Sequence, residues 1–133
     1  MVTLGLVVAR FNREVTEAME EAAHEAAADR GATVEETLYV PGAYDTPLAA
    51  DRLARREGID AVVALGAIVT GATDHDRTIA DAAARGLTEV SLDRDVPVTF
   101  GISGPGMTAD EARARTDYGA RAVESAIDLM EEL

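Results

Sequence analysis

The sequence predicts an α/β fold, a three-layer α/β/α sandwich around a four-stranded parallel sheet, and three observations carry that reading. Val2 to Ala9, and Ala61 to Leu65 within the segment Asp60 to Ile68, are almost continuously apolar, the pattern of strands buried on both faces. Strand-like and helix-like segments alternate strictly through four units, the order of a parallel sheet whose crossover helices cover both faces. No internal repeat or low-complexity linker interrupts the chain, and 133 residues of which 47% are hydrophobic are the size of one domain, residues 1–133, with one core.

The first strand leads into a helix running to Arg30. Asn12 stands at its N-cap, Val15, Ala18, Met19, Ala22, Ala23 and Ala26 recur at helical spacing, and Gly31 sits where a C-terminal cap belongs. Thr33 to Val40 reads as the second strand, broken by Pro41 and Gly42, after which Pro47 opens a helix ending near Gly58. The third strand, Asp60 to Ile68, is followed by a loop around Gly71 and a helix from Asp76 to Leu92, with Gly86 as a weak interior point. Val96 to Ile102 is the fourth strand and Ser103-Gly104-Pro105-Gly106 a loop. Thr108, with Glu111 three positions later, is a capping box opening a terminal helical region that Gly119 is expected to divide.

Composition removes whole classes of mechanism. The chain has no Cys, Trp, Gln or Lys, so all 12 basic residues are Arg. Without Cys there is no disulfide, thiolate nucleophile, zinc ribbon or thiolate-bound iron–sulfur cluster. Without Lys there is no internal Schiff base and no phosphate-loop lysine. Against the 12 Arg stand 25 acidic residues, a formal charge of −13 that repels nucleic acid and anionic membranes. That exceeds the roughly 2 to 8 units usual for a small soluble domain, and such self-repulsion is muted where salt shortens the screening length, to about 3 Å at about 1 M. A salt-rich cytoplasm is the reading this supports; biased codon usage with incidental acidity is the alternative. The N-terminus shows no basic stretch before an apolar core, and no apolar run nears the roughly 18 residues of a membrane span, so a soluble cytoplasmic protein is expected.

In open parallel sheets ligands bind outside the carboxyl ends of the strands. That rule selects Arg10 to Arg13, Pro41 to Thr46, Ile68 to His75 and Ser103 to Thr108, and the scarce residues gather there. Phe11 and the single Asn, Asn12, lie at the first loop, His75 at the third and Phe100 near the end of the fourth strand. Phe11 suits either stacking on a flat ring or a lid over the sheet edge. Gly71, Ala72 and Thr73 precede a helix and can offer phosphate their backbone N–H groups, although a plain connection has the same pattern. His75 suits proton transfer near neutrality; a solvated or capping His is the plain alternative. Asp74-His75-Asp76 is a poor metal site, since adjacent residues rarely converge on one ion. His24, beside Glu25 in an Ala-rich helix, reads as exposed. Arg113, Arg115 and Arg121 either grip a phosphate or pair with Asp110, Glu111, Asp117 or Glu124. Ser103 lacks the nucleophile-elbow pattern, which disfavours a serine hydrolase.

Taken together, these loops resemble lumazine synthase of the riboflavin pathway, in particular its short archaeal form. Arg10-Phe11-Asn12, Pro41 through Pro47, Leu65 through His75, Val96 through Thr108 and Arg115 through Ala122 match five family motifs in order, over essentially the whole chain. The resemblance implies a flavodoxin-like fold, no metal or organic cofactor, and a reaction joining 5-amino-6-ribitylaminouracil to 3,4-dihydroxy-2-butanone 4-phosphate. It implies that Phe11 stacks on the pyrimidine, with Asn12 in the same loop, and that Gly42, Ala43, Tyr44 and Asp45, helped by Ala67 and Ile68, position the ring and ribityl chain. Gly71, Ala72 and Thr73 would hold the phosphate, and His75 would move protons. Phe100, Arg115 and Arg121 match positions contributed by a neighbouring subunit, Arg115 to the phosphate. The partner would be a second copy of the chain, in a pentamer or a 60-subunit shell of pentamers. Asp45, Tyr44, Thr70 and Arg121 stand where the family commonly has Glu, Phe, Arg and Lys. A riboflavin synthase-like paralogue and a non-catalytic flavin-binding or storage oligomer are the alternatives.

Overall fold

The computed structural model describes residues 1–71 and 73–133. Its element order is β1 (Thr3–Ala9), α1 (Arg13–Asp29), β2 (Thr33–Val40), a 3-10 turn (Ala43–Asp45), α2 (Thr46–Ala54), β3 (Ala61–Val69), α3 (His75–Arg94), β4 (Val98–Met107), α4 (Ala109–Arg113) and α5 (Tyr118–Glu132). The four strands form one all-parallel sheet in the order β2-β1-β3-β4. The α/β sandwich read from the alternation is therefore the architecture observed.

Parity along the central strands explains both faces. In β3, Ala61, Val63, Leu65 and Ala67 point to one side and pack, with Leu4, Leu6 and Val8 of β1, against Val15, Met19 and Ala23 of α1 and Val123, Ala126 and Ile127 of α5. Val62, Ala64 and Ile68 point to the other side, with Val7, onto Ala50 and Leu53 of α2 and Ala80, Ala83 and Leu87 of α3. Each fully buried Leu or Val contributes about 1.5–3 kcal/mol relative to leaving it in water, which is why the two central strands are apolar beyond the half-buried Thr3 at the start of β1. β2, at the sheet edge, is only half-buried along most of its length.

Several local expectations need correction. Asn12 occupies the N-cap of α1 but does not cap it with its side chain; it lies in the left-handed region at φ 63°, which Asn tolerates, and its amide reaches across to β3 instead. Ala18 and Ala22 of α1 are only half-buried, while Thr16 and Ala27 take their places in the core. α2 ends at Ala54, four residues short of Gly58, and α3 begins one residue earlier and ends two later than expected. The segment expected as a loop after the fourth strand stays paired: β4 runs to Met107, which lies beside Val69, with a register shift opposite Ala67 to Val69. Gly104 and Gly106 sit at φ 94° and 75°, so the strand bulges outward and returns to accept the Thr70 N–H at the Met107 carbonyl. The terminal helical region divides at Ala114 to Asp117, not at Gly119, which lies inside α5. Thr108 and Glu111 do form the reciprocal capping box, at 3.1 and 3.0 Å.

No helix among the described residues is long and apolar enough to cross a membrane. The surface carries the charge excess: Arg13, Arg30, Arg55, Arg56, Arg94, Arg113 and Arg115 reach carboxylates, and most of the 25 acidic residues have no such partner among the described residues. His24 is exposed and meets Glu20 one turn back, at 3.3 Å. Exposed pairs of this kind contribute little, so repulsion dominates at low ionic strength. Raising salt from about 0.1 M to about 2 M should lift the melting temperature by about 5 °C or more, given that about 1 kcal/mol shifts a chain of this size by about 3–5 °C. A melting curve unmoved by dilution of salt would show the acidity to be incidental.

Candidate active site

β1 and β3 are neighbours in the sheet while their connections leave to opposite faces, which opens a crevice at their carboxyl ends. A cavity of about 190 Å³ occupies that crevice, and its walls include Phe11, Asn12, Gly42, Ala43, Tyr44, Ala67, Ile68, Gly71, Thr73 and His75. Three of the four predicted loops therefore converge. Val69, Asp76 and Ile79 complete the lining. Sequence reasoning passed over Val69 and Ile79 because an apolar residue at a strand end or on a helix carries no chemical signature. Asp76 was visible only as a flank of His75.

Each side chain is held by backbone logic. The Arg10 and Phe11 N–H groups donate to the Val40 and Pro41 carbonyls at 2.8 and 2.9 Å, extending the β1–β2 ladder past the strand and fixing Phe11 while 72% of that residue stays exposed. Asn12 Nδ2 donates to the Ala67 carbonyl at 2.8 Å, binding the first loop to the end of β3. Thr46 Oγ1, fully buried, donates to the Ala43 carbonyl at 2.7 Å and sets the 3-10 turn that presents Tyr44, itself 63% exposed. A large ring exposed beside a concave apolar wall suits stacking on a planar ligand.

Asp45 is placed differently. Its Oδ2 accepts the Gly42 N–H at 3.0 Å, so the carboxylate closes the turn and does not line the cavity. Ala72 lies outside the described residues. On either side of it, the N–H groups of Gly71, Thr73 and Asp74 meet no acceptor among the described residues, while the Thr70 N–H is taken by Met107. Uncommitted amides ahead of a helix of 20 residues favour an anion. His75 opens that helix with its ring on the cavity wall and its own N–H only 3.4 Å from Thr73 Oγ1. Among the described residues no three His, Asp or Glu side chains are grouped to hold a metal ion.

Phe100, Arg115 and Arg121 are not brought to this cavity within the chain. Phe100 and Arg121 line a separate space of about 350 Å³ at the β4 edge with Thr99, Tyr118, Ala122 and Ser125, the Arg121 guanidinium lying 5.3 Å from the Tyr118 ring centre. Arg115 stands at the α4–α5 corner, where its Nη2 donates to Glu111 Oε2 at 3.3 Å. The Glu111 carboxyl is held below the usual range, chiefly by accepting the Thr108 N–H, then by the Thr108 hydroxyl contact, with Arg115 a smaller influence. Arg113 pairs with Asp110, the ordinary salt bridge.

The chain matches the family model of 6,7-dimethyl-8-ribityllumazine synthase over residues 1–133. The 6,7-dimethyl-8-ribityllumazine synthase of Halobacterium salinarum is 67% identical over 133 residues, covering the whole of both chains. That of Halorubrum lacusprofundi is 68% identical over 133 residues, 100% of this chain and 99% of that one. That of Methanocaldococcus jannaschii is 47% identical over 133 residues, 100% of this chain and 94% of that one. With a full-length match and relatives from halophiles at two-thirds identity, the chain belongs to the 6,7-dimethyl-8-ribityllumazine synthase family.

Proposed function

We propose that this chain condenses 5-amino-6-ribitylaminouracil with 3,4-dihydroxy-2-butanone 4-phosphate to give 6,7-dimethyl-8-ribityllumazine, releasing phosphate and water, the penultimate step of riboflavin biosynthesis. The observation that carries it is the single crevice holding Phe11, Tyr44, Thr73 and His75 in a chain whose full-length relatives bear that enzyme's name. The new imine joins the amine of one substrate to the ketone of the other, so the protein supplies no lysine or cysteine nucleophile. Its tasks are orientation, one proton shuttle and an anion site. Phe11 stacks on the pyrimidine, Gly42, Ala43, Tyr44, Ala67 and Ile68 fix the ring and ribityl chain, and the amides around Gly71 and Thr73 receive the phosphate. His75 relays protons during imine formation and phosphate elimination. Phe100, Arg115 and Arg121 complete the site of a neighbouring copy, which makes the working form a homo-oligomer, a pentamer or a shell of twelve pentamers, in the cytoplasm. The separate cavity at the β4 edge, with Phe100 still 42% exposed, supports that division of labour.

Mixing the protein with both substrates should produce lumazine absorbance and fluorescence; none at high enzyme concentration would refute the reading. His75→Ala should lower kcat by about 10²-fold or less, because a single proton shuttle contributes about 10²- to 10⁴-fold and positioning supplies the remainder. Tight riboflavin binding with turnover indifferent to His75→Ala would instead mark a storage protein.

A further inference from the structure

We propose that Arg77 is a second phosphate-recognition residue of this site, supplied by the same chain as His75; the inference rests on the functional reading above. Behind the third loop lies a third cavity, of about 280 Å³, lined by Thr70, Gly71, Thr73, Gly106 and Arg77 among others. Gly71, Thr73 and Asp76 line both this cavity and that of His75, so the loop is their common wall and its uncommitted amides stand between them.

Arg77 is set apart from most other arginines of the chain. Among the described residues it has no carboxylate within 4.0 Å and no side-chain hydrogen bond, whereas Arg113 and Arg115 are paired and Arg10 and Arg121 lie on tyrosine rings. Arg52 and Arg85 are likewise unpaired, but neither borders the site; Arg85 lies on the outer face of α3 beside Asp81 and Glu89.

Local electrostatics require such a cation. Asp74 and Asp76 line the same cavity, and a helix N-terminus offers only about half a positive charge against them. Asp76 accepts the Gly106 N–H at 3.2 Å, which links the start of α3 to the β4 bulge beside Arg77. A guanidinium there offsets one carboxylate and offers a planar donor pair to a phosphate lying on the loop.

The test compares Arg77→Gln with the parent, using Arg85→Gln as a control for charge alone. Arg77→Gln should raise KM for the butanone phosphate about 10- to 100-fold, the loss of one charge-assisted hydrogen bond, and leave KM for the pyrimidine within about twofold. Arg77→Lys should recover part of the loss and Arg85→Gln should change neither constant. Calorimetric titration with inorganic phosphate should show the same ranking. Failure of the parent to form lumazine would overturn the functional reading, whereas equal phosphate affinity in the parent and Arg77→Gln, with or without turnover, would overturn the role of Arg77.

Discussion

Arg115→Ala should abolish use of the butanone phosphate almost completely, with kcat/KM falling by about 10³-fold or more while the protein melts within about 2 °C of the parent. Arginine presents a rigid donor fork that grips phosphate bidentately and cannot lose its proton near neutrality, so its removal leaves the dianion against a surface of net charge −13. Stability should survive because the Arg115 side chain is only half-buried and its partner among the described residues, Glu111, keeps its principal bonds to Thr108 when the guanidinium is gone. The Thr108–Glu111 box also keeps the start of α4 in place, so a lost rate reports the missing cation and not a melted helix. Arg115→Lys should recover a minor part of the activity, since a point charge replaces the fork. Because Arg115 does not line the cavity holding His75 in its own chain, co-refolding Arg115→Ala with His75→Ala should regenerate some intact sites between copies. Normal kinetics for the single variant, or no recovery on mixing, would refute its assignment.

The amino-acid pattern carries more of the fold than of the site's finer wiring. β1 and β3 are legible because burial on both faces forces an uninterrupted apolar run, and Thr108 with Glu111 is legible because a capping box needs only residues three apart. The extension of β4 through Ser103 to Met107 is not: two glycines and a proline read locally as a turn, and the partners that keep it in the sheet, Ala67, Val69 and Thr70, belong to a segment more than 30 residues earlier. The Asn12 side chain's partner is hidden for the same reason, the Ala67 carbonyl being 55 residues away, although Asn12 does stand at the N-cap. Asp45 accepts the Gly42 N–H and closes its own turn, a bond that spacing alone does not specify. The convergence of Phe11, Tyr44 and His75 was accessible through the strand-end rule, whereas Arg77 was hidden because an arginine on a helix ordinarily reads as solvated surface.

Gly119→Ala should be strongly destabilising, by about 3 kcal/mol, with a drop in melting temperature of about 10–15 °C. A β-carbon at Gly119 would lie 2.1 Å from the Met19 carbonyl oxygen and 2.8 Å from its carbon, far inside contact distance. The obstruction is backbone in the middle of α1, not the end of a flexible side chain, so relief requires α1 and α5 to part. Those helices together cover one face of the sheet, and Met19, Ala23, Val123, Ala126 and Ile127 would all lose packing as the gap widened. Gly58→Ala is the control: nothing lies within 4 Å of a β-carbon there, and its melting temperature should remain within about 2 °C of the parent. A Gly119→Ala protein melting within about 3 °C of the parent would show that α5 can shift without loss. The same displacement bears on chemistry, because Tyr118 and Arg121 occupy the first turn of α5 and Arg115 the corner just before it. Partial separation of α5 should therefore raise KM for the butanone phosphate in Gly119→Ala even at temperatures where the chain remains folded, while a stability loss unaccompanied by any change in KM would place the anion contacts on a part of the fold independent of the α1–α5 seam.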